Sequence, residues 1–125
     1  MSGKGVLFDS VVFIDHFNGT DAATEYLRKN RKNGHVSPIT IAEVLTGMRR
    51  ENRRLARKFL DCFTFASIDR EVADMAADLR RTEGWKLPDA FQAATARYNG
   101  LLLATRNSKD FNPKKYPFVL IPYIV

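Results

Sequence analysis

Three acids in this chain stand at positions where chemistry is conceivable: Asp9, Glu43 and Asp89. Asp9 closes the short apolar run "GVLF" and is followed at once by a hydroxyl, Ser10. Glu43 lies in "SPITIAEVLTG", in the expected first turn of a helix, and Asp89 follows Leu87–Pro88 at the start of another. A further polar position, Asn107 with Asp110 behind it, follows the apolar run "LLLAT". Each has a purely structural reading. Asp9 can cap the helix after it, and Thr40 and Glu43 have the Thr-x-x-Glu spacing of a capping box. Asp89 near a helix start gains ~0.3–1 kcal/mol from the macrodipole. Gathered in one cleft, however, three carboxylates repel one another unless a cation joins them. Hard oxygen donors without histidine or cysteine then point to Mg²⁺ or Mn²⁺. His16 and His35 show no ligand spacing with each other or with Cys62, which argues against zinc.

Whether the acids meet depends on the elements that carry them. "GVLFD" reads as a short buried strand, and "TDAATEYLRKNRKNG" as a helix with Thr20 as cap and Gly34 as stop. "HVSPIT" has strand and then turn chemistry. "IAEVLTGMRRENRRLARKFLDCF" gives one or two helices, broken near Gly47, and "TFASI" a strand within Phe63 to Ile68. "DREVADMAADLRRTEG" is a helix capped by Asp69 and ended by Gly84. "LPDAFQAATARYNG" is another, with Pro88 in its first turn and Gly100 at its end. "LLLAT" and "FVLIPYIV" are apolar strands. Strands apolar at every residue, alternating with helices, indicate a parallel sheet covered on both faces. The expected fold is α/β: a three-layer α/β/α sandwich around a central, mostly parallel sheet of four to five strands. In such a sheet, right-handed crossovers bring strand C-termini and the following helix N-termini to one edge, where ligands bind. Asp9, Glu43 and Asn107 are delivered to that edge, and Asp89 reaches it from its helix start.

Composition narrows the setting. The 125 residues fit one domain, residues 1–125. A single cysteine, Cys62, rules out an intrachain disulfide, and its surroundings "FLDCFTF" read as a buried hydrophobe. Asp9 and Asp15 interrupt any export-signal core, and "FVLIPYIV" falls far short of the ~20 residues of a membrane helix. A cytoplasmic protein with no membrane partner is expected. The net charge is +6, from 20 Lys and Arg against 14 Asp and Glu, with much of the excess in "RRENRRLARK". Arg53, Arg54 and Arg57 either track nucleic-acid phosphates or form a solvated helix face. An acid-lined metal pocket in a basic protein suits phosphodiester cleavage: the ion neutralises phosphate charge and activates water, and the cations hold the rest of the backbone.

At these residues "LFDSVVFID", "SPITIAEVLTG", "LPDAFQAATA" and "LLLATRNSKDF" resemble the four motifs of PIN-domain ribonucleases. The resemblance is nearest to the VapC-type toxins of bacterial and archaeal toxin–antitoxin pairs, and runs from Val6 to about Val119. It implies a Mg²⁺- or Mn²⁺-dependent endoribonuclease in which Asp9, Glu43 and Asp89 form the acidic metal site and Ser10 is the hydroxyl beside it. Asn107 is a departure, because the family often has an acid there; this puts a second metal in question. Asn107 remains a supporting polar group at the catalytic site, and Asp110 either joins the metal or anchors its loop. Arg106 is a candidate for the scissile phosphate or, equally, a surface residue. The resemblance further implies structured, tRNA-like RNA as substrate, a homodimer, and a VapB-like antitoxin. Rival readings are a DNA or flap nuclease, for which the chain leaves little room to clamp a junction, and a catalytically weak nucleic-acid-binding PIN module, against which the intact acids argue. A phosphoacceptor receiver domain would need paired acids after the first strand and a lysine after the last, and this chain has neither.

Overall fold

The computed structural model describes residues 5–125. Within them the chain forms β1 (Val6–Phe8), α1 (Ser10–Phe17), α2 (Asp21–Lys29), β2 (Gly34–Val36), α3 (Pro38–Thr46) and α4 (Arg50–Leu60). It continues with β3 (Thr64–Phe65), α5 (Arg70–Glu83), α6 (Leu87–Tyr98), β4 (Leu102–Ala104) and β5 (Val119–Leu120). The strands make one five-stranded sheet, ordered β3-β2-β1-β4-β5, and every pairing is parallel.

Strand alternation sorts the core into two layers. Val6 and Phe8 of β1 face one side, with Val12, Phe13, Leu27, Val44 and Leu60 from α1 to α4. Leu7 faces the other, with Leu103, Val119, Ala93 and Ala96. A third cluster, Val72, Ala76, Ala90 and Ala94, zips α5 to α6. The order also sets the site. The chain leaves β1 towards β2 and β3 on one side and returns to β4 and β5 on the other. The crevice between β1 and β4 is therefore the switch point at which an open α/β sheet binds ligands.

Phe8, the last residue of β1, is fully buried and meets Phe13, Tyr26 and Phe63 edge-on at 5.6, 5.8 and 5.2 Å. Truncating a ring in such a setting costs ~3–5 kcal/mol. That packing fixes the strand end from which Asp9 emerges. Gly34 matters for the same ring. A Cβ there would lie 2.3 Å from the Phe8 ring, so β2 can pair with β1 only through a glycine. Gly34 thus opens a strand and does not stop α2, which runs to Lys29 with Asn30 as its C-cap. Gly84, at φ 75°, ends α5 in the left-handed conformation as expected.

The capping box proposed at Thr40 and Glu43 does not form. Ser37 is the N-cap of α3 and accepts from the Thr40 amide at 3.2 Å, with Pro38 in the first turn. The helix therefore begins one turn earlier than the Thr-x-x-Glu spacing suggests, Thr40 is buried, and Glu43 lies in the second turn. Asp9 and Asp69 do cap their helices, accepting from the Ser10 and Val72 amides. Thr20 occupies the N-cap of α2 without a side-chain bond. Cys62 is exposed, not buried: it falls just past the end of α4, where its thiol donates weakly to the Lys58 carbonyl.

Candidate active site

Asp9 is positioned from three directions. Its backbone amide donates to the Ala104 carbonyl at 2.9 Å, which ties the end of β1 to the end of β4. Its Oδ2 accepts from Thr105 Oγ1 at 2.7 Å, and its Oδ1 accepts from the Ser10 amide at 2.8 Å. The side chain is 8% exposed. A carboxylate held this way keeps outward lone pairs for a ligand. Ser10, the first residue of α1, donates its hydroxyl to Glu43 Oε1 at 2.7 Å and so links α1 to α3. Ser10 thus bridges the motif after β1 to the motif after β2.

Asp89 enters from the first turn of α6, where Lys86 is the N-cap and Pro88 supplies the preset backbone of a helix start. Its carboxyl is pushed up to about 6, first by burial and then by the negative charges of Asp9, Asp110 and Glu43. Three carboxylates from three other places in the chain therefore act on Asp89. None of the four ion pairs among the described residues involves Asp9, Glu43 or Asp89. As placed, no three of the acids, histidines and cysteines among the described residues come close enough to grip one ion. The donor chemistry nevertheless suits Mg²⁺ or Mn²⁺: hard oxygens only, with Lys86 alone pulling weakly against the like charges at Asp89.

Asn107 lies beside this group, but its side chain serves the loop. Its Nδ2 donates to Asp110 Oδ2 at 3.1 Å, and its Oδ1 accepts from the Asp110 amide at 3.3 Å. Trp85 Nε1 also donates to the Asp110 carbonyl at 3.1 Å, so the turn after β4 is pinned from both ends. Arg106 does not join the acids. Its guanidinium forks onto Asp15 of α1, Nε to Oδ2 at 2.6 Å and Nη2 to Oδ1 at 3.0 Å, and Tyr123 donates to the same carboxylate at 2.8 Å. Arg53, Arg54 and Arg57 are exposed on α4, and only Arg57 has an acidic partner, Asp61 at 3.9 Å.

Thr105 and Gln92 are contacts of Asp9 that sequence reasoning did not single out. Gln92 is a lone polar residue inside the alanine-rich stretch "DAFQAATA", and Thr105 is the first polar residue after a wholly apolar strand. Both patterns mark a polar group that needs a partner indoors.

Comparison with known proteins gives a consistent picture. The PIN domain family matches residues 6–114. Ribonuclease VapC10 of Mycobacterium tuberculosis is 35% identical over 113 residues, 85% of each chain. A chain from a toxin–antitoxin complex of Klebsiella pneumoniae superposes with a TM-score of 0.88 at 34% identity, covering 97% of this chain and all of that one. A chain of DNA-bound VapBC from Salmonella typhimurium shares the fold alone, with a TM-score of 0.75 at 18% identity over 86% of this chain and 90% of that one.

Proposed function

This chain belongs to the PIN-domain family, and from that premise we propose that it is a metal-dependent endoribonuclease, the toxin of a toxin–antitoxin pair. The observation that carries the reading is the Asp89 carboxyl, raised to about 6 by burial and by Asp9, Asp110 and Glu43 in a chain of net charge +6. A protein with cations to spare forms no ion pair with any of these acids among the described residues. Burial and like charge are how active sites commonly shift a carboxylate.

Asp9, Asp89 and Glu43 would hold Mg²⁺ or Mn²⁺, which supplies charge neutralisation at the scissile phosphate and activation of a water. Asp9 is the fixed member, restrained through both oxygens. Glu43 is the adjustable one, on the longer side chain and tethered by the Ser10 hydroxyl. Ser10 thereby orients Glu43 either towards the ion or towards the attacking water. Asn107 and Asp110 form one hydrogen-bonded unit at the rim, and that unit supports the site by holding the loop. The exposed arginines of α4 would carry the flanking RNA backbone, a sequence-independent contribution that weakens with salt. Kinship with a mycobacterial ribonuclease favours RNA over DNA as the substrate. Likeness to a chain from a toxin–antitoxin complex favours a VapB-like protein partner. Structured, tRNA-like RNA, a homodimer and a cytoplasmic setting belong to the same reading; among the described residues no helix is long and apolar enough to cross a membrane.

The deciding experiment incubates the purified protein with structured RNA and with duplex DNA, before and after EDTA. RNA cleavage abolished by chelation and restored by Mg²⁺ or Mn²⁺ is the expected result. Cleavage of RNA that survives chelation undiminished would sink the metal reading, and preference for DNA would sink the substrate.

A further inference from the structure

Helix α6 carries an amide on its buried alanine face. Gln92 is 1% exposed among Ala90, Ala93, Ala94 and Ala96, so its donors and acceptor must find partners inside the protein. They do, and the bonds can run in one direction only. Thr40 Oγ1 donates its single proton to the Phe8 carbonyl at 3.1 Å. Towards Gln92 that hydroxyl can only accept, so Gln92 must present its amino group there, at 2.7 Å. That leaves the Gln92 Oε1, an acceptor only, facing Ser37, whose hydroxyl accepts from the Thr40 amide and donates to it at 2.7 Å. The second amino hydrogen of Gln92 is then left facing Asp9 Oδ1, a long contact of 3.4 Å. The Phe8 carbonyl, by taking the one Thr40 proton, thus dictates that Asp9 is met by a donor.

We propose that Gln92 is a positioning residue of the acid site: it holds Asp9 in one rotamer and registers it against the start of α3, the helix that carries Glu43. The role rests on reading Asp9 as a metal ligand. Thr105 restrains the other Asp9 oxygen at 2.7 Å from the end of β4, so the carboxylate is gripped from both sides of the β1–β4 crevice. A ligand held before the ion arrives loses less freedom on binding it, and outer partners of this kind commonly govern affinity about tenfold or more.

Gln92→Met keeps the volume and removes the amide. Mn²⁺ is titrated without RNA, following the rise in melting temperature, and then with RNA, following cleavage. Asp69→Ala is the control, because it removes the cap of α5 and lowers stability without touching the acids. The expected result is a Mn²⁺ midpoint raised about tenfold in Gln92→Met in both titrations, and unmoved in Asp69→Ala. A Gln92→Met midpoint equal to wild type, or a rise shared by Asp69→Ala, overturns the role. If Gln92→Met does not fold, Thr40→Val removes only the hydroxyl that aims the amide: a raised midpoint supports the proposal and an unmoved one overturns it. Wild-type protein indifferent to Mn²⁺ overturns the metal reading and this role together, whereas a responsive wild type with an unmoved variant overturns this role alone.

Discussion

Two carboxylates in this molecule sit at opposite electrostatic extremes although both begin from the same ordinary value. Asp15, on α1, is held below it chiefly by the hydrogen bonds of the Arg106 guanidinium, against the upward push of its own burial. Asp89, on α6, is pushed up to about 6 by burial and by three neighbouring acids, with only a minor pull from Lys86. The first arrangement joins the Arg106 turn and the Tyr123 tail to α1. The second sets three acids against Asp89, and none of the ion pairs among the described residues includes it. In a chain with six excess positive charges, the difference separates a carboxylate used for structure from one we propose as a metal ligand.

Neutralising Asp9 or Asp89 should have the largest effect. Asp9→Asn and Asp89→Asn should each lower RNA cleavage by at least about 100-fold, measured at saturating Mg²⁺ with the fold checked by circular dichroism. Stability without metal should move the other way for Asp89→Asn. A folded-state carboxyl raised from 3.8 to about 6 binds its proton more tightly than the unfolded chain, so stability falls as pH rises through that window. Asn107 and Asp110 aside, removing the Asp89 charge should raise the apo melting temperature at neutral pH and flatten its decline between about pH 4 and 6. Wild-type turnover by Asp89→Asn would reduce Asp89 to a helix-terminus charge.

Breaking the paired acid should do the reverse. Arg106→Met leaves Asp15 largely enclosed with Tyr123 as its remaining partner, and should cost about 2 kcal/mol; the half-open position of the arginine keeps the loss below that of a fully buried pair. A depressed carboxyl contributes stability above its unfolded value near 3.8 that disappears as pH falls through the folded value. The wild-type protein should therefore lose this contribution below about pH 4, and Arg106→Met should lack that acid limb in urea titrations. The Mn²⁺ midpoint should stay in place. Cleavage that drops far more than stability accounts for would return Arg106 to the scissile phosphate.

A weaker effect separates binding from chemistry. Neutralising Arg53, Arg54 and Arg57 together should weaken RNA binding and reduce its salt slope by about 2, with cleavage of saturating RNA little changed. An unaltered slope would make that face of α4 a solvated surface and nothing more.

The alternation of apolar strands and helices made the parallel sandwich legible, because a strand buried on both faces has no polar alternate to confuse its reading. The seams at Asp9 and Asp89 were legible for a related reason: an acid placed directly after an apolar run or beside a helix-starting proline stands out. What was hidden depended on partners far apart in the chain. Ser37, and not Thr40, caps α3, because Thr40 is drawn inwards by the Phe8 carbonyl, a contact across 32 residues. Arg106 faces Asp15 across 91 residues, and local sequence gives no hint that its fork is already occupied. Cys62 looked buried by its neighbours, yet it falls just past the end of α4, where burial follows the turn and not the composition.

The smallest expected effect tests where the crevice ends. Asn107→Asp keeps size and shape, and its Oδ1 can still accept from the Asp110 amide. It removes the donor that now meets Asp110 Oδ2 at 3.1 Å and sets two carboxylates side by side. At this partly exposed turn the repulsion should lower apo stability by only about 0.5 kcal/mol. The same repulsion frees one of the two acids to turn towards Asp89, which already feels the Asp110 charge. A cation shared among them would relieve both repulsions at once, so the Mn²⁺ concentration for half-maximal cleavage should fall, and added Mn²⁺ should restore the melting temperature. If apo stability drops while the Mn²⁺ midpoint stays fixed, the Asn107–Asp110 unit is a loop clasp outside the reach of the ion. The acids that count would then be Asp9, Glu43 and Asp89, and Asn107 would belong with Arg106 among the residues that hold the turn after β4 in place.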